Sequence, residues 1–200
     1  MTARLQQRTP LAGLGARILR ALRFGGLLLG LASPFIAMAQ DDAAAVLERR
    51  VKAALLYRFI NYVDWQEAVQ LKPDAPFTIA IAGADALANE LSEVAASKTV
   101  LNRPLAVRKV RAGDLPREVQ VIFIGKREAS QLGTVLRSIP SNVLIVTESD
   151  DALQHGSIIN FVIVDGQVRF EVSLDAARRR NIHLSSRLLS VAHTVVGALP

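Results

Sequence analysis

The side chains able to do chemistry in this chain are few and widely spaced. Histidines stand at 155, 183 and 193, with no carboxylate at metal-ligand spacing beside any of them. Asp150 and Asp151 are adjacent, so on a helix their carboxylates would diverge by about 100°; they suit capping better than paired acid–base work. Cysteine is absent, which removes thiolate nucleophiles, thiolate metal sites and disulfide exchange together. No G-x-S-x-G, H-E-x-x-H, Walker A or G-x-G-x-x-G spacing occurs. The residues therefore predict no catalytic group, metal or cofactor, and the expectation is a protein that is not an enzyme.

Two groupings could bind something. Gly125-Lys126-Arg127 follows an apolar run and places two cations where a strand gives way to a helix, an arrangement suited to an anion. The plainer reading is a glycine that ends a strand, followed by two solvated cations. The second grouping is Asn160, which interrupts large apolar residues, with Arg169 and Glu171 two apart on the next strand and Arg187 further on. These four could hold a small polar ligand, or Arg169 and Glu171 could form an ordinary surface ion pair. Trp65, the single tryptophan, either belongs to a partner-binding surface or caps the first helix against the core.

The elements that must position these residues follow from periodicity. Residues 42–64 predict a long helix with Val51, Leu55, Phe59 and Tyr62 on one stripe, widened by Leu56, Ile60 and Val63. Glu48, Arg49, Arg50, Lys52 and Arg58 fall on its polar side. Three apolar runs, 77–82, 119–124 and 143–146, each lead toward a helical pattern, as in a parallel sheet covered by helices. Their carboxyl ends are Gly83-Ala84-Asp85, Gly125-Lys126-Arg127 and Thr147-Glu148-Ser149, and ligands of open parallel sheets lie beyond such ends. Pro104–Val110 predicts a further strand near the sheet edge. Ser149-Asp150-Asp151 predicts a helix start.

Residues 158–164 and 167–174 flank Asp165-Gly166 and predict an antiparallel hairpin. A short helix at 175–180 and a terminal helix from Ser186 to about Val196 complete the pattern. The fold class is α/β: a single domain whose mostly parallel central sheet carries a C-terminal antiparallel hairpin, with helices on both faces.

The first 23 residues contain five arginines and no acid; an apolar run, 24–37, and Ala37-Met38-Ala39 follow. That order describes a secretory signal over residues 1–39, cut before Gln40, leaving an α/β domain over 40–200. The competing reading, an uncleaved anchor, needs about 20 apolar residues. Of the 24 basic residues, five lie in the signal, which leaves 19 against 18 acidic ones. The formal charge then falls from +6 to +1, and with it any case for a nucleic-acid partner.

Three segments resemble a known family. Val51–Trp65 (VKAALLYRFINYVDW) is similar to the opening helix of the YfiR family, and Ser97–Val107 (SKTVLNRPLAV) resembles its K-x-V-x-x-R-P-x-x-V segment. Val168–Leu189 resembles its closing R-F-E-[IV]-x-L strand and I-S-S-[KR]-L-L helix start. The resemblance implies a periplasmic regulator that binds the periplasmic region of an inner-membrane diguanylate cyclase and represses it, limiting cyclic-di-GMP output and biofilm formation. It also implies a homodimer and a small ligand as further partners. The cysteine pairs of the family's best-known member have no counterpart here, and the family's common Trp-Pro and Gly-Gly are Trp65-Gln66 and His155-Gly156. The alternative left open is a free-standing periplasmic binding protein for a small ligand, uncoupled from any cyclase.

Overall fold

A computed structural model describes residues 33–65, 75–111, 113–114 and 118–197. The signal segment expected over 1–39 therefore lies mostly outside the described residues. The chain divides into two compact units, Met1–Ala44 and Ala45–Pro200. Everything below concerns the second, apart from the start of helix α1, Ser33–Ile60. Among the described residues no helix is long and apolar enough to cross a membrane.

The remaining elements are β1 (Val63–Asp64), β2 (Phe77–Ala82), α2 (Asp85–Ala95), β3 (Thr99–Val100), β4 (Arg103–Val110) and β5 (Val121–Ile124). A 3-10 turn, Lys126–Gln131, leads into α3 (Leu132–Ser138). Then come β6 (Leu144–Thr147), β7 (Ile159–Val164), β8 (Gln167–Ser173), α4 (Leu174–Arg179), β9 (His183–Leu184), α5 (Ser186–Ser190) and β10 (Thr194–Val196).

Eight strands form one sheet in the order β10-β8-β7-β6-β5-β2-β4-β3. All neighbours from β4 to β7 run parallel, and the antiparallel pairs are β3/β4 and β7/β8. The continuous apolar runs are the central strands: every residue of β2, β5 and β6 is buried. That is what a parallel sheet covered on both faces requires. Asp165 and Gly166 both take positive φ, +50° and +70°, the backbone a two-residue turn needs to match strand twist.

Helix α1 docks through Lys52, Ala53, Leu56, Phe59 and Ile60. The buried stripe thus runs one position away from the sequence expectation, and Val51, Leu55 and Tyr62 are only half-buried. Phe59 anchors it, its ring 5.6 Å from Phe161 and 4.9 Å from Phe170 on the hairpin. The helix ends at Ile60, short of the expected 64, because Val63 and Asp64 pair with Leu184 and His183. Trp65 lies next, buried, its indole N–H donating to the Ile60 carbonyl at 2.7 Å and its ring edge-on to Phe77 at 5.0 Å. Of the two sequence readings for Trp65, the geometry matches the helix cap.

Two other expectations are corrected. The segment after Ser149 forms turns, not a helix, with Asp151 at φ +55° and Gly156 at +104°; two left-handed residues within six positions break any helical run. The terminal helix stops at Ser190, and Thr194-Val195-Val196 joins the sheet parallel to Glu171-Val172-Ser173. β-branched residues favour that extended backbone once a strand lies alongside.

Candidate functional site

The carboxyl ends of β2, β5 and β6 converge, and the N-terminal part of α1 within the second unit covers them. Gly125 makes the convergence close: its N–H donates to the Ala82 carbonyl at 2.8 Å, and a Cβ there would lie 2.7 Å from the Gly83 carbonyl oxygen. Between these ends and α1 lies a cavity of about 510 Å³, walled by Ala45, Arg49, Ala84, Leu87 and Lys126, among others.

At its base is a charge cluster that sequence reasoning did not identify. Lys52 is only 5 % exposed, and its ammonium donates to Glu148 Oε2 at 2.6 Å and to Glu48. Burial pulls the Lys52 pKa down, and the hydrogen bonds and charges of Glu148 and Glu48 more than reverse this, holding it above the usual lysine value. The other oxygen of Glu148 accepts the Lys126 backbone N–H at 3.1 Å. One carboxylate thus ties α1 to the ends of both β5 and β6. The available signal was positional: Lys52 opens the stripe continued by Leu56, Phe59, Ile60 and Val63.

The two cations expected at the end of β5 part company. Arg127 is engaged, donating through Nε to the Gly83 carbonyl at 3.0 Å and through Nη2 to Asp85 Oδ2 at 2.8 Å. The hydrogen bond from Arg127 holds the Asp85 carboxyl below its usual range. Lys126 is exposed and Arg49 half-buried, and neither the Lys126 ammonium nor the Arg49 guanidinium makes a hydrogen bond or ion pair among the described residues.

The hairpin grouping is only half assembled. Asn160 faces Glu171 across the β7/β8 ladder, and both line a second cavity with Asp151, Asp175 and Arg179. Asn160 is 3 % exposed, and its Oδ1 accepts from Thr147 Oγ1 at 2.7 Å, within a buried trio completed by Ser157. Arg169 turns to Gln167 Oε1 at 2.7 Å and is not paired with Glu171, so the expected surface ion pair is not formed. Arg187 is exposed on α5, and neither it nor Arg169 lines the Asn160 cavity. Among the described residues no group of three or more His, Cys, Asp or Glu side chains could hold a metal.

A family model described as DUF4154, YfiR/HmsC-like, matches residues 49–193. The chain belongs to the YfiR/HmsC-like family. That span begins inside α1, ends just before β10, and takes in the whole sheet except that last strand. No curated protein matches the chain. Among solved structures, a conserved domain protein from Vibrio cholerae O1 biovar El Tor is similar in fold, with a TM-score of 0.50 and 11 % identity. The alignment covers 74 % of this chain, which spans 60 % of the Vibrio chain's length. At that identity the likeness extends to the α/β fold and no further.

Proposed function

We propose that this YfiR/HmsC-like domain is a periplasmic regulator that binds the periplasmic sensor region of a membrane-bound diguanylate cyclase and holds it in an inactive state. The observation that carries this reading is the family match over residues 49–193, which includes the complete 51–65 helix motif and the complete 168–189 segment. Export through removal of residues 1–39 belongs to the same proposal and is supported by the basic stretch, apolar run and Ala37-Met38-Ala39.

Physically, the regulator need only bind the inactive state more tightly than the active one. The shift it imposes is bounded by that differential affinity, and driving a two-state sensor from almost fully active to almost fully inactive takes about 5.5 kcal/mol of it. With a formal charge of +1 after export, long-range steering contributes little, so packing at the interface must supply the preference.

The test is cellular cyclic-di-GMP in a deletion strain, complemented with the full chain or with residues 40–200 lacking any export signal. A rise on deletion, reversed by the full chain alone, supports a periplasmic restraint. Unchanged cyclic-di-GMP across growth conditions overturns the cyclase reading, and rescue by the unexported form overturns the compartment.

A further inference from the structure

We infer that the cavity at the carboxyl ends of β2, β5 and β6 binds a small organic monoanion, with its charge between Arg49 and Lys126 and a short apolar body against Ala45, Ala84 and Leu87. The inference does not depend on the identity of the protein partner.

Topology gives the place. From β2 the chain crosses to β4 on one side, then returns to β5 on the other side of β2. Strand order therefore reverses between β2 and β5, and in open α/β sheets the crevice outside the strand ends at such a reversal is where ligands sit. The cavity lies there, lined by the residues that follow both strands, and its 510 Å³ is within the range of small-molecule sites.

Charge accounting gives the ligand class. Four cations, Arg49, Lys52, Lys126 and Arg127, share the wall with three carboxylates, Glu48, Asp85 and Glu148. Lys52 is shared by Glu48 and Glu148, which leaves one negative charge on that trio, and Arg127 offsets Asp85. Arg49 and Lys126 remain unengaged among the described residues. The surplus over the whole wall is one positive charge, which matches a monoanion; a dianion would meet Glu48 and Glu148 with too little compensation. Helix α2 also opens onto the cavity at Ala84 with no side chain capping it, so its positive end is available to the same charge. The remaining wall is apolar, which selects a carboxylate with a few carbons over a bare inorganic ion.

The experiment is an amide-shift titration of the purified full-length protein with hexanoate, inorganic phosphate and hexanol as separate probes. Hexanoate should give saturable shifts centred on Ala84, Leu87 and Lys126. Arg49→Gln and Lys126→Gln should each weaken it by about tenfold, the loss of one charge-assisted hydrogen bond. Arg179→Gln, in the Asn160 cavity, should leave it unchanged. Phosphate and hexanol should each bind at least tenfold more weakly than hexanoate. The inference is overturned if hexanoate produces no saturable shift, if Arg49→Gln/Lys126→Gln binds it as wild type does, or if phosphate or hexanol binds as tightly. Arg49 and Lys126 have no engaged partner to lose, so a folded variant is expected, and its amide spectrum checks that directly.

Discussion

Replacing Lys52 with methionine removes one charge from a cluster of three, and the structure sets the size of the effect. The side chains of Lys52 and Glu148 are 6 % and 15 % exposed, so their pair is a buried one. Removing one member of such a pair costs about 3–5 kcal/mol, because the other charge is stranded out of water. Glu148 keeps the Lys126 amide as a donor and some water contact, which puts its share at the low end. The Glu48 contact is more than a third exposed and contributes only about 0.5 kcal/mol. Methionine recovers about 1 kcal/mol by burying its own apolar surface. The net loss is about 2–3 kcal/mol, a fall in melting temperature of roughly 4–12 °C for a domain of this size. Urea unfolding followed by the emission of Trp65, the single tryptophan, measures it directly. The raised Lys52 pKa fixes the pH dependence. Its stabilisation is fully present below the ordinary lysine value of 10.5 and is lost as pH rises through the higher folded value. The gap between wild type and variant should therefore hold from neutral pH to about 10 and then close. A gap below about 0.5 kcal/mol at pH 7, within the range of exposed pairs, would refute the buried-pair argument; so would a gap that widens in alkali.

Two further substitutions test the frame around the cavity. Gly125→Ala should destabilise by about 2–3 kcal/mol in the same urea assay, since the new methyl meets the Gly83 backbone at 2.7 Å and backbone cannot swing aside; an unchanged midpoint would show that the β2 and β5 ends are not held together. Thr147→Val should cost about 1–3 kcal/mol by stranding the buried Asn160 amide, whereas adding Asn160→Leu should recover part of that loss because both partners are then apolar. A double variant as unstable as the sum of the singles would remove the Thr147–Asn160 bond from the account.

The central strands were legible because little competes with their signal: 77–82, 121–124 and 144–147 are apolar except for Thr78 and Thr147, and are bounded by turn residues. The hairpin was equally plain, since alternation and Asp165-Gly166 agree on one register. The closing segment was misread because Leu188, Leu189 and Ala192 keep helical spacing up to the point where Thr194-Val195-Val196 finds β8. That pairing is tertiary and leaves no local mark. Lys52 was hidden for a related reason. A lysine reads as a solvated face until the two glutamates that balance it are in place, and Glu148 lies 96 residues further along the chain. Lys126 and Arg127 carry the same charge at adjacent positions, and only the placement of the Gly83 carbonyl and Asp85 shows which of them is engaged.

The pairing of β1 with β9, reinforced by the Ser185 N–H donating to the Tyr62 carbonyl at 2.8 Å, has a bearing on how the chain is made. It fastens the end of the first helix to a segment near the last residues, while Phe59 waits for Phe161 and Phe170 on the hairpin. A chain that emerges N-terminus first presents α1 long before any of these partners exists. The apolar stripe of that helix must stay covered by a chaperone or remain at risk of aggregation until the final third has emerged. Folding of this domain is thus a late, whole-chain event, and a copy truncated before His183 would leave its oldest segment without the strand that pins it.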